Sequence, residues 1–173
     1  MKLLVVRHGA AMEREDFAHT GESDDLRPLT DEGKAEMKLI AARLRAAEVE
    51  KLDLLATSPL VRARQTAEII AEAYGLGDPG IVDSLRPGGS FEEFASWCAG
   101  PGDKKVIAIV GHEPHLGTLV TWLLAGGNES HIRLKKGGAC LVEFDSQPQR
   151  GAGILNWLLT PRQLTRAAQP NAS

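Results

Sequence analysis

Cysteine is scarce in this chain of 173 residues. Cys98 and Cys140 are the only two, and they make no metal-ligand or redox spacing. Both read as reduced thiols, which fits a cytoplasmic protein. Long apolar runs are missing too. None approaches the roughly 20 residues that a membrane span needs. Lys2 followed by an apolar run imitates a secretion signal, but Arg7 and His8 cut the run short and no small-residue cleavage site follows. Charge of one sign is not in excess: 20 Lys and Arg stand against 23 Asp and Glu, for a formal net charge of -3. No general affinity for nucleic acid or an anionic membrane is expected. Low-complexity linkers and internal repeats are absent. The glycine-containing "GPGDKK" has neither the spacing nor the Ser/Thr of a nucleotide-binding loop.

What is present is ordinary for a globular domain, with 43% hydrophobic and 25% charged residues. The length suits a single domain, expected over residues 1–162, with a frayed tail over 163–173. Residues 2–7 are apolar on both faces, as in a central, mainly parallel strand. Met12 to Pro28 is polar and aperiodic and reads as one long loop. Thr30 looks like an N-cap ahead of a helix with Met37, Ile40, Ala41 and Leu44 on one face. "LDLLATS" (residues 52–58) reads as a second strand, and Ser58-Pro59 as the cap and first turn of a helix reaching Tyr74. Ile81 and Val82 suggest a short third strand, and Ser90 with Glu93 a capping box. "KVIAIVGH" (105–112) is a buried strand running into a helix that starts at Pro114. "ACLVEFD" and "GILNWLL" look like two last strands. Strand and helix alternate, so the fold class is α/β, with helices on both faces of one sheet.

Ligands of such sheets sit beyond the carboxyl ends of the strands. Arg7-His8, Ser58 with the following Arg62, and Gly111-His112 all fall there. Two arginines, two histidines and two helix starts suit a phosphate dianion. Gly9 would let the backbone approach a ligand. A histidine in such a place can attack phosphorus. Taken alone, spacing supports an anion-binding α/β protein.

Four segments carry a closer likeness. "RHG" directly follows the first strand. "RPLTDEG" (27–33), "SPLVRARQTAEII" (58–70) and "VGHEP" (110–114) come after it in order. Together they resemble the histidine phosphatase superfamily, with its phosphoglycerate mutase-like fold. The short chain, "D-x-x-RPLT", "LRPGG" (85–89) and "LNWLLTPRQL" resemble its small SixA-type phosphohistidine phosphatases. The resemblance implies a three-layer αβα sandwich around a six-stranded, mixed, mainly parallel sheet, and no cofactor or metal. It implies His8 as the nucleophile of a phosphohistidine intermediate, with Arg7, Arg62 and His112 holding the phosphoryl group.

One departure from the larger members bears on the substrate. Their motif supplies an acid that protonates a leaving alkoxide. Aligned with it, "DSLRPGG" (83–89) puts Pro87 near the acid position, with Asp83 nearby but off register. General-acid help is worth roughly 10² to 10⁴ in rate. An alkoxide needs it, whereas the P–N bond of a phosphoramidate is intrinsically labile. The reading is therefore a phosphohistidine phosphatase. Its expected partner is a histidine-phosphorylated protein of the phosphorelay or phosphotransferase type, and the chain itself is expected to be a monomer. A metabolite phosphomonoesterase, using Asp83 or an acid of the 12–25 loop, is the alternative. A phosphate-binding module without turnover is another.

Other residues carry weaker signals. His112 and His115 are three apart, but Pro114 lies between them and no matching Cys or acidic partner follows, which argues against a metal. His115 reads as a helix-start residue at the pocket rim, and His19 as exposed. Arg27 either faces the pocket or pairs with the acidic "ESDD" before it. Arg133, Lys135 and Lys136 form a basic loop cluster, solvated or docking an acidic partner. Trp97, Trp122 and Trp157 read as core.

Overall fold

The computed structural model describes residues 1–100, 102 and 104–166. The strands are β1 (Lys2–Arg7), β2 (Leu54–Thr57), β3 (Gly80–Ile81), β4 (Val106–Gly111), β5 (Ala139–Glu143) and β6 (Ile154–Leu159). The helices are α1 (Arg14–Ala18), α2 (Asp31–Arg43), α3 (Val61–Tyr74), α4 (Phe91–Ala99), α5 (His115–Ala125) and α6 (Pro161–Arg166). The six strands form one sheet in the order β3-β2-β4-β1-β5-β6. β3, β2, β4 and β1 are parallel, and β5 runs antiparallel to both β1 and β6. This is the mixed, mainly parallel sheet expected.

Alternation along the central strands divides the core into two layers. Leu3 and Val5 of β1 and Ile107 and Ile109 of β4 face α4 and α5, meeting Phe94, Leu119 and Leu123. Their neighbours Leu4, Val6, Ala108 and Val110 face the other way, onto Met37, Ile40, Ala67 and Ile70 of α2 and α3. Strands buried on both sides have no polar face to spare, so polar groups gather where the strands end. Of the three tryptophans, Trp122 is buried in the core while Trp97 and Trp157 are half-buried at its margins.

The expected caps hold in part. Thr30 Oγ1 accepts the Gly33 N–H at 3.0 Å and starts α2. Ser90 Oγ accepts the Glu93 N–H at 3.1 Å and starts α4, while its own hydroxyl donates to Glu92 at 3.3 Å. Ser58 is not the cap of α3. That helix begins at Val61 after Leu60, without a side-chain cap. The long polar loop is also corrected. It contains α1, anchored by buried Phe17, and a 3-10 turn at Asp24–Leu26 capped by Ser23. Elements of five and three residues are too short to show a period in sequence. The tail expected from 163 is ordered at least to Arg166, because α6 buries Leu164 against the α2 layer. Residues 167–173 lie outside the described residues.

Gly9 and Gly33 allow β1 to leave the sheet against the start of α2. A Cβ on Gly33 would collide with the Ala10 carbonyl, and one on Gly9 would stand 2.6 Å from Met37 Cγ. Close packing against α2 therefore requires Gly9, a reason different from the ligand approach expected for it.

Candidate active site

Parallel pairing places Arg7 beside Gly111 and Thr57 beside Val110. The residues that follow those positions, His8, His112 and Ser58, therefore emerge together at the carboxyl edge of the sheet. The first turn of α3 adds Arg62. His8, Arg62 and His112 are buried, and Arg7 is half-buried. The His8 and His112 rings lie 5.1 Å apart between centroids. All four residues expected at the site thus converge, although they come from three separate chain segments.

Each is held by its surroundings. His8 Nδ1 lies 2.7 Å from the Gly9 carbonyl oxygen. A carbonyl only accepts, so Nδ1 carries the proton and Nε2 keeps a free lone pair. The Gly9 N–H donates to Thr66 Oγ1 at 3.1 Å, and Thr66 donates to the Arg62 carbonyl at 2.8 Å, tying the His8 turn to α3. Arg7 donates from Nη1 to the Leu134 carbonyl at 2.7 Å. Gly137 donates its N–H back to the Arg7 and His8 carbonyls. Arg62 donates from Nη1 to the Asp24 carbonyl at 2.8 Å, and its Nη2 lies 3.2 Å from Asp24 Oδ2.

Three nitrogens of this set, Arg7 Nε, Arg62 Nε and His112 Nδ1, are buried without a protein partner. Buried unpaired donors are costly, and a ligand rich in acceptor oxygens would satisfy them. Burial is the main cause that lowers the His8 pKa to about 3. The Gly9 bond opposes this, and Arg62, Arg7 and Arg27 add to it. Burial likewise brings His112 down to about 2, aided by charge on His8, Arg62, His115 and Arg7. Both imidazoles are neutral at pH 7. The arginines contribute to this as expected, but desolvation is the larger cause.

Arg27 fulfils both of its readings. Its Nε binds Asp24 Oδ1 at 2.8 Å and its Nη1 the Met12 carbonyl at 2.6 Å, yet its charge also bears on His8. Asp24 was foreseen only within the acidic 12–25 loop and as a partner of Arg27, not as the partner of Arg62. Partial burial opposes its ionisation, but the hydrogen bond from Arg27 and the charges of Arg62, Arg27 and Arg14 keep its carboxyl below the usual range. Its spacing three residues before Arg27 was the one signal available. Ser58, read as a cap, instead lies 2.8 Å from His112 Nε2. Glu113 was seen only as part of a motif, and it accepts the Leu134 N–H at 2.7 Å.

The remaining candidates fall elsewhere. Asp83 is exposed and sits 3.3 Å from Arg86, which also pairs with Asp25 at 2.9 Å. His115 is buried and donates from Nε2 to the Ser84 carbonyl at 3.0 Å. Among the described residues no three His, Cys, Asp or Glu are grouped to hold a metal ion. His19, Arg133 and Lys135 are exposed, and Lys136 lies 3.7 Å from Glu13.

Comparison with known proteins bears on this arrangement. Residues 3–87 match the histidine phosphatase superfamily (branch 1). An uncharacterized protein of Picosynechococcus sp. is 41% identical over 142 residues, covering 80% of this chain and 82% of that one. Phosphohistidine phosphatase SixA of Escherichia coli is 29% identical over 180 residues, covering 96% and 98%. A solved structure of the protein histidine phosphatase SixA complexed with tungstate superposes with a TM-score of 0.79 at 26% identity, covering 95% of this chain and 99% of that one.

Proposed function

From the premise that the chain belongs to the histidine phosphatase superfamily and is a hydrolase of the phosphatase type, we propose that it hydrolyses the P–N bond of phosphohistidine carried on a protein. His8 Nε2, its lone pair free, attacks phosphorus. The bond from phosphorus to the substrate nitrogen breaks, and the substrate leaves as neutral imidazole when its other ring nitrogen bears a proton. Water then attacks the phosphorylated His8, releases inorganic phosphate and restores the neutral ring. Arg7 and Arg62 balance the charge on the non-bridging oxygens, and His112 donates to one of them.

The observation that favours a P–N over a P–O substrate is the state of the nearby carboxylates. Asp24 is shared among Arg14, Arg27 and Arg62. Asp25 and Asp83 pair with Arg86. Asp24, whose carboxyl its arginines hold below the usual range, is a poor proton donor, so an alkoxide would depart without its help. A neutral imidazole needs no such help. The names of the SixA relatives, phosphohistidine phosphatase and protein histidine phosphatase, support the same substrate class. A histidine-phosphorylated phosphorelay or phosphotransferase protein would carry such a group.

The test is to mix the protein with a phosphohistidine-bearing protein, quench at short times and look for phosphate covalently bound to the phosphatase. Transient label on the wild type, and none on His8→Ala together with loss of phosphate release, is the expected result. Undiminished release by His8→Ala would contradict the assignment.

A further inference from the structure

Ser58 is fully buried, and its hydroxyl lies 2.8 Å from His112 Nε2. Its other neighbour is the Leu60 N–H, a donor, at 3.5 Å. A hydroxyl has one proton to give and lone pairs to receive with. If His112 Nε2–H donated to Ser58, the serine oxygen would take two donors while its own proton pointed at nothing. His112 Nδ1 would then be a buried bare lone pair, while Arg7 Nε and Arg62 Nε of the same site are buried donors without a protein partner. That lone pair would face the oxygens of any phosphoryl group as a second acceptor. The opposite arrangement removes each conflict. Ser58 O–H donates to Nε2 and accepts from Leu60, and the only proton of His112 sits on Nδ1, the ring nitrogen left without a protein partner.

We propose that Ser58 is a positioning residue which fixes His112 as the Nδ1–H tautomer, so that the pocket offers the phosphoryl group a neutral ring donor. The inference rests on the phosphatase reading for the identity of the acceptor, but the tautomer itself does not depend on turnover. The two pocket histidines carry their protons on the same type of nitrogen for different reasons. His8 is fixed by its neighbour's carbonyl, and its bare nitrogen is the reactive one. His112 is fixed by a hydroxyl from another strand, and its protonated nitrogen is the useful one. Adjacent parallel strands make the contact possible, since Ser58 and His112 follow directly from β2 and β4.

The experiment is long-range proton–nitrogen correlation NMR on histidine-labelled protein near pH 7.5, with no substrate present. His8 (Nδ1–H) and His115 (Nε2–H) serve as internal references for the two forms. His112 in the wild type should show protonated Nδ1 and bare Nε2. In Ser58→Ala its proton should redistribute toward Nε2 while the His8 and His115 signals stay in place, and kcat should fall roughly tenfold with a smaller change in KM. Ser58→Thr, which keeps the hydroxyl, should restore the tautomer and most of kcat. A wild-type His112 protonated on Nε2, or an unchanged His112 tautomer in Ser58→Ala, overturns the proposal. Failure of the phosphatase reading would show differently, as a wild type that releases no phosphate from a phosphohistidine-bearing protein while its His112 tautomer is as proposed.

Discussion

Glu113 and Arg7 grip the backbone of one residue from its two sides: the Glu113 carboxylate accepts the Leu134 N–H at 2.7 Å, and Arg7 donates to the Leu134 carbonyl at 2.7 Å. Leu134 is buried and lies 127 residues from Arg7, so this single residue ties the loop before β5 to the end of β1. Glu113 also attracts the Arg7 charge, which raises an arginine pKa otherwise lowered by burial. Glu113→Ala removes the brace and should lower kcat/KM for a phosphorylated substrate by about tenfold to a hundredfold, the range expected for one charge-assisted hydrogen bond. Glu113→Gln keeps an acceptor for Leu134 and should recover most of the loss. Steady-state kinetics of the two variants checks this. Full activity in Glu113→Ala would mean that Arg7 needs no brace.

Asp24 should work against a bound phosphate. It holds Arg62, Arg27 and Arg14 together, but it also puts a negative charge on the arginine that would bind a dianion. In Asp24→Asn the arginines keep a polar neighbour and lose its charge. Inorganic phosphate should then inhibit at a several-fold lower concentration, an effect moderated by solvent because Asp24 is partly exposed. Product-inhibition constants measure it. Weaker inhibition would show that Asp24 serves the phosphate only through Arg62.

Acid should destabilise the protein through its buried histidines. His8 and His112 titrate at about 3 and about 2 in the fold, against about 6.5 in an unfolded chain, and burial lowers the His115 pKa as well. Below pH 6.5 the unfolded state therefore binds more protons than the folded state, and stability falls as pH falls. The slope approaches about 1.4 kcal/mol per pH unit for each fully unprotonated buried histidine. Denaturant melts between pH 7.5 and 5 should show this loss. His112→Asn should reduce its slope, and an unchanged slope would count against a neutral buried His112.

Much of this site was legible because its signals are local. An apolar run ending in Arg7-His8 and the Thr30 cap are consequences of nearest neighbours in sequence, whereas the packing of Gly9 and Gly33 at the start of α2 joins distant residues. The six-stranded, mixed, mainly parallel sheet and the convergence of His8, Arg62 and His112 followed from strand-end logic and from the family likeness, while the order of the strands did not. What stayed hidden is long-range. The partners of Ser58, Glu113 and Asp24 lie 54, 21 and 38 residues away, and no spacing announces them. α1 and the Asp24–Leu26 turn are set by tertiary anchors such as Phe17 and the arginines, not by a period of their own. α6 was missed because a single buried residue, Leu164, holds it.

The central claim is that the site prefers P–N bonds because Asp24, the carboxylate paired with Arg62, is held ionised and offers an alkoxide no proton. The most direct measurement is kcat/KM for a phosphohistidine-bearing protein beside an alkyl phosphate, with a metal chelator present throughout. The account predicts a ratio of at least about 10² in favour of phosphohistidine, the lower end of what a general acid contributes. Equal rates on the two substrates would contradict it and would require a carboxyl group, Asp83 foremost, to act as the missing acid.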